Sequence, residues 1–164
     1  MRILVFSVIG LVVLVLVIVA IGSALPQNHT AIRERTFAVP PARLYDAIVK
    51  VADYPKWKTG VSAVDVLPTD QGKPRFREVG NDPITYEIVE ANPPSRFITR
   101  IAEKLPYGGT WTYDLSPAAQ GTTLRITENG EVYNPIFRFA SRFIIGYYGT
   151  MDKVLDDLRR YVAR

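Results

Sequence analysis

The sequence predicts an α+β architecture: a curved antiparallel β-sheet wrapped around a long C-terminal helix, preceded by one N-terminal transmembrane helix. Three observations lead there. The first is a run of 19 residues, Ile3 to Ile21, made almost wholly of Val, Leu and Ile and free of charge. The second is a set of six short stretches between Val61 and Val132, separated by Gly, Pro, Asn and Asp clusters, which is the spacing of an antiparallel meander. The third is the segment Pro135 to Ala163, where apolar residues recur at three and four, the period of one helix face.

The apolar run comes first in the chain. As a helix rising ~1.5 Å per residue it spans roughly 28 Å, close to the ~30 Å hydrocarbon core of a bilayer. No charged residue lies between Arg2 and Arg33. In lipid such a segment is helical because every backbone group bonds within it, and the lack of a polar face argues against a buried core helix. Two fates compete. A signal-anchor over residues 1–24 fits the length of the run, whereas a cleaved signal peptide would use Gly22 and Ala24 as its small pair. Arg2 and the α-amino group precede the span, with Arg33 and Arg35 beyond it, and a basic start favours a domain outside the cytoplasm. The expectation is a single-pass membrane protein with an extracytoplasmic domain.

Beyond Arg2 the chain carries 19 Lys and Arg against 16 Asp and Glu, with the signs interspersed. No run of five like charges occurs, so no basic arm for nucleic acid is expected. The positive mean hydropathy comes from the N-terminal run. The chain has no cysteine, which removes disulfides, thiol nucleophiles and thiolate metal sites together. The residues after a short linker, 31–164, suffice for one hydrophobic core.

Residues 25–30 (LPQNHT) are polar and contain a Pro, as a linker does, and Asn28-His29-Thr30 matches a glycosylation acceptor triplet. A strand is expected over Ala31 to Val39. Pro40-Pro41 then opens a helix carrying Leu44, Ala47, Ile48 and Val51 on one stripe. It gives way at Asp53-Tyr54-Pro55, with Trp57 in the turn. Strands follow at Val61 to Leu67, Arg75 to Val79, Ile84 to Glu90, Arg96 to Glu103, Gly109 to Ser116 and Thr122 to Val132. Asn134 is a good N-cap and Pro135 a good first helical residue. Gly146 and Gly149 weaken the middle of the last helical segment, which predicts a kink or two abutting helices.

Particular words in the sequence resemble the START-like (SRPBCC) superfamily of helix-grip proteins, and more narrowly its polyketide cyclase/dehydrase and lipid transport group. They are Val39-Pro40-Pro41-Ala42-Arg43-Leu44-Tyr45-Asp46-Ala47-Ile48, Tyr54-Pro55-Lys56-Trp57, Tyr86-Glu87-Ile88, Pro93-Pro94-Ser95-Arg96-Phe97, Gly109-Thr110-Trp111-Thr112-Tyr113 and Thr122-Thr123-Leu124-Arg125-Ile126-Thr127-Glu128. The resemblance spans Ala31 to Arg164. It implies a helix-grip fold with a pocket between sheet and C-terminal helix for an apolar or aromatic small molecule. It does not fix an activity, because such a fold hosts binders, carriers and cyclases alike.

The residues themselves narrow the chemistry. His29 is the only histidine and falls in the expected linker, so histidine acid–base or metal chemistry is not expected in the domain, and no cofactor motif occurs. Strand alternation puts Glu128 on the face of Leu124 and Ile126, and Glu78 on the face of Phe76. Two inward glutamates are candidate polar handles, with pKa values open to desolvation. Tyr86, Trp111 and Tyr113 on strands, and Phe139, Phe143 and Tyr147 on the last helical segment, are candidate lining residues that supply apolar area and a few hydroxyl or indole donors. The expected function is binding of a hydrophobic small molecule or lipid at a membrane. The alternatives are a cyclase, aromatase or dehydratase using pocket carboxylates, and a non-enzymatic partner module of a membrane complex.

Overall fold

The structure, a computed structural model, describes residues 2–163. Met1 and Arg164, the outer limits of the expected anchor and domain, lie outside the described residues. Helix α1 (Arg2–Ala24) is the apolar run, and the side chains described along its first four turns are exposed all round. The expected linker is shorter than residues 25–30, because strand β1 (Asn28–Phe37) starts at Asn28. Its polar residues belong to the sheet: β1 pairs with β7 from Asn28↔Glu131 to Phe37↔Thr122.

Helix α2 (Pro41–Val49) starts at the second of the paired prolines and runs into a 3₁₀ turn over Val51–Lys56, two residues short of the predicted end. The strands β2 (Val61–Asp70), β3 (Lys73–Gly80), β4 (Ile84–Asn92), β5 (Arg96–Ile101), β6 (Tyr107–Ala118) and β7 (Gly121–Val132) follow in meander. With β1 they make one antiparallel sheet in the order β1-β7-β6-β5-β4-β3-β2. Asn134 caps helix α3 (Pro135–Ala140), its side chain accepting from the N–H groups of Ile136 and Phe137. A π turn over Ser141–Ile145 leads to Gly146, whose φ of 76° lies in the left-handed region that glycine tolerates. The predicted long segment is thereby two pieces, and α4 (Gly149–Val162) restarts in a new direction.

The core sits at one end of the concave face of the sheet. Leu44 and Ile48 of α2 and Met151, Leu155 and Leu158 of α4 meet Phe97, Leu124 and Ile126 there, each almost wholly buried. At the opposite end, α1 joins the body through side chains and backbone together. Gly22 lies against the backbone of Pro135, where a Cβ would collide with its carbonyl. Arg138, 6% exposed, donates to the carbonyls of Val132 (3.0 Å), Leu25 (2.8 Å) and Tyr133 (3.0 Å). One guanidinium thus ties the end of α1 to the end of β7.

Removing the Leu158 side chain from this filled core is expected to cost about 2–5 kcal/mol. Val66→Ala, on an exposed strand position, should stay within about 0.5 kcal/mol. Urea unfolding of the full chain in detergent checks both.

Candidate functional site

The other end of the concave face is not filled. A cavity of about 160 Å³ lies between the sheet and the first turns of α4. Strand alternation builds its wall, because Phe76 and Glu78 of β3 share the inward face, as do Trp111 and Tyr113 of β6. The register Phe76↔Tyr86 brings two rings together across β3 and β4, with centroids 5.3 Å apart. Tyr54 from the 3₁₀ turn closes edge-on to Phe76 at 6.1 Å, its hydroxyl donating to the Ile48 carbonyl at 2.8 Å. Thr99, Gly108, Gly109, Thr110 and Thr150 supply the small surfaces that leave the space open.

One ion pair and one histidine–carboxyl pair mark the cavity. Inside it, the Lys58 ammonium donates to Glu78 Oε1 at 2.5 Å, with side chains only 17% and 10% exposed. The ammonium also stands over the rings of Tyr54 and Tyr86, 4.9 and 5.9 Å from their centroids. Such pairing matters because a buried carboxylate without a partner costs several kcal/mol. Burial, with the charge of Glu78 adding to it, holds the phenols of Tyr54 and Tyr86 well above the usual tyrosine range. Tyr113 is raised in the same way, by burial first. All three are therefore neutral hydroxyls at physiological pH.

The second pair lies at the neck. Glu128 Oε1 is 3.3 Å from His29 Nε2, and Gly130 leaves the room that the imidazole fills. Burial raises the Glu128 carboxyl, and His29 and the Trp111 indole pull it back. The His29 ring stacks on Tyr147 with centroids 3.8 Å apart, and its Nδ1 is buried with no protein partner. Beyond the neck is an outer pocket of about 330 Å³, walled by His29, Phe137, Ile145 and Tyr147 among others. Gly108, Glu128 and Thr150 line both spaces, so the two adjoin across these residues.

Of the eight predicted site residues, Glu78, Tyr86, Trp111, Tyr113 and Glu128 meet at the inner cavity and Tyr147 stands in the outer pocket. Phe139 and Phe143 line neither. They pack on each other at 5.0 Å, and Phe143 is 59% exposed, because the break at Gly146 separates their stripe from that of α4. Histidine needs the larger correction. His29 is a strand residue beside Glu128, its side chain 13% exposed, so the exclusion of histidine chemistry from the domain does not hold. The period-two pattern through Phe37 and Ala31, both buried, extends back to His29 and could have located it. Lys58 was also missed. It follows Trp57 in an irregular turn, where no periodicity points a side chain.

Sheet, gripped helix and enclosed space together define a helix-grip domain with room for a ligand. The chain belongs to the polyketide cyclase/dehydrase and lipid transport family, whose profile matches residues 29–163. Among solved structures it is similar to norcoclaurine synthase from Thalictrum flavum, with 10% identity over 84% of this chain and 87% of that one, at a TM-score of 0.64. A protein from Rhodobacter sphaeroides shares 21% identity over 82% of this chain and 91% of its own, at 0.60. The di-domain aromatase/cyclase StfQ of the steffimycin biosynthetic pathway shares 11% over 84% of this chain, at 0.67, and this chain spans 52% of its length. At these identities the likeness is one of fold. No curated protein matches the chain.

The raised Glu128 carboxyl has a signed consequence. Folded, it titrates above the ~4.3 of an unperturbed glutamate, so in the window between the two values the folded chain binds the extra proton. Stability should therefore fall as pH rises through that window and stay lower above it. Unfolding midpoints between pH 4 and pH 8 are expected to show this slope, and Glu128→Gln to flatten it. In carboxyl NMR, His29→Ala should move the Glu128 midpoint further up.

Proposed function

We propose that the chain is a single-pass membrane protein whose domain binds a hydrophobic small molecule or lipid in the cavity between sheet and α4. The observation that carries the reading is the cavity itself: five aromatic rings enclose it, and of its three lysine and glutamate lining residues Lys58 and Glu78 pair with each other while Glu128 stands at the neck. Its size bears on the ligand. About 160 Å³ is close to a ~150 Å³ cavity that holds one benzene and small beside the ~300–1,000 Å³ of typical ligand sites. One ring or a short acyl segment fits inside, and the rest of a larger ligand occupies the outer pocket. Burying ~150 Å² of apolar ligand at ~25 cal/mol per Å² contributes about 4 kcal/mol, a millimolar affinity. Tighter binding needs polar contacts, for which Glu128, His29 and the hydroxyls of Tyr86 and Tyr113 are placed.

The seat of α1 supports an anchor over a cleaved signal. A cut after Ala24 would strip Gly22 from Pro135 and leave the α3 side of the junction bare. The basic start favours the domain on the extracytoplasmic side. Labelling of Val66→Cys by a membrane-impermeant maleimide in intact cells reads that side, and the chain has no other cysteine.

A second reading, an enzyme with acid–base chemistry, draws on the His29–Glu128 pair at the neck: an imidazole 3.3 Å from a carboxyl raised by burial is a proton-transfer arrangement. Turnover of a bound ligand that is lost in both His29→Gln and Glu128→Gln would support it, and unaltered ligand would remove it.

Native mass spectrometry of the full chain extracted from its own membrane should recover a bound apolar molecule. Thr99→Phe, which fills the cavity from β5, should lower its occupancy at least tenfold with the fold unchanged by circular dichroism. An empty cavity in the wild-type chain would overturn the binding reading.

A further inference from the structure

The exposed apolar side chains of the domain concentrate on one segment. Ile136, Phe137, Phe143, Ile144, Ile145 and Tyr148 are between 42% and 75% exposed, whereas Ile32, Val66 and Val89 stand singly on strands. Residues 133–151 contain six aromatics, two arginines and no carboxylate. Arg138 is committed to three backbone carbonyls, which leaves Arg142 as the exposed charge. A patch of this composition resembles an interfacial membrane segment, with apolar and aromatic side chains on a backbone that carries no acid to desolvate.

Its position in the fold names what covers it. Helix α1 contacts α3, and Ile18, Val19 and Gly22, the shielded residues of its C-terminal half, form one stripe with Leu25 just past its end. Gly22, against Pro135, is two residues from the end of α1, a rise of ~3 Å, and Ile18 is ~9 Å from that end. Interfacial helices bury their apolar faces ~5–10 Å into the headgroup boundary. If α1 spans the bilayer, α3 and the π turn are therefore held at that depth.

We propose that the segment from Ile136 to Tyr148 inserts into the bilayer interface beside α1, so that the outer pocket opens onto lipid and draws a membrane-resident amphiphile sideways from the leaflet. This rests on the anchor reading above and adds the source of the ligand to it. Phe137, Ile145, Gly146 and Tyr147 are at once members of the segment and wall of the outer pocket, which adjoins the inner cavity at Gly108, Glu128 and Thr150. On this proposal a ligand leaving the lipid enters the outer pocket first and reaches the inner cavity past the residues the two spaces share.

The chain's lack of cysteine makes the test direct. Single variants Ile144→Cys, Ile145→Cys, Leu14→Cys and Val66→Cys carry an environment-sensitive fluorophore in the full chain, reconstituted into phosphatidylcholine vesicles. Part of the lipid bears a doxyl quencher near the headgroup or deep in the acyl chain. The expected result is blue-shifted emission and headgroup-doxyl quenching at positions 144 and 145, deep-doxyl quenching at 14, and neither at 66. Quenching at 14 without quenching at 144 and 145 would overturn this proposal and leave the anchor intact. A blue shift at 144 that no lipid quencher reaches would show a protein cover instead, a second copy or a partner, and would overturn it too. No quenching at 14 would remove the anchor reading, and this proposal with it.

Discussion

Met151, Val154, Leu155, Leu158 and Val162 fall on one stripe of α4, and the seating of that stripe on the sheet is the contact from which the site follows. The same helix carries Asp157, 2% exposed, which accepts from the N–H and hydroxyl of Thr59 at 2.8 and 2.9 Å and is paired with Arg160. Hydrogen bonds to a charged group are worth about 1.5–3 kcal/mol each. They pin the turn after the 3₁₀ segment, and the next residue back, Lys58, reaches Glu78 from there. Packing in the filled end thus sets the polar floor of the open end. Val154 and Thr150 of the same helix roof the cavity, so moving α4 would change roof and floor together.

The open end is a local exception to efficient packing. Replacing a buried ion pair with well-packed apolar residues is often neutral or stabilising, yet Lys58 and Glu78 sit among Tyr54, Phe76 and Tyr86 at the point where a larger apolar set would close the core. The small residues Thr99, Gly108, Gly109 and Thr110 keep the opposing wall back. Departures of this kind from internal consistency are expected where a protein holds space for something else.

The sheet was legible because its information is local. Asp70-Gln71-Gly72, Gly80-Asn81-Asp82-Pro83 and Asn92-Pro93-Pro94 mark turns, and alternation between them assigned Phe76, Glu78, Tyr113 and Glu128 to the inward face, where the structure has them. Where the site depends on how distant elements meet, the sequence was silent. His29 sits in a polar string that looks like linker, and only the pairing of β1 with β7 makes it a neighbour of Glu128, 99 residues away. Lys58 is placed by Asp157 through Thr59, a relation with no periodic trace. Phe139 and Phe143 share a helical spacing with Tyr147, but one glycine at positive φ separates the stripe into two directions.

That glycine also organises the opening. Because Gly146 turns the chain between the π turn and α4, the two tyrosines that follow it meet β1 rather than the cavity: Tyr147 stacks on His29 at 3.8 Å, and the Arg33 guanidinium lies 3.7 Å over Tyr148. Arg33 in turn bonds Asp152 at 2.8 Å, tying the start of α4 to the same strand. The residues just before the glycine, Phe143, Ile144 and Ile145, are left pointing outward. An unbroken helix from Pro135 to Val162 would have kept one apolar stripe on the sheet, with neither an outer pocket nor an apolar collar beside α1. The break at Gly146 therefore does two things at once, since the glycine lines the outer pocket and ends the exposed apolar stretch of Phe143, Ile144 and Ile145.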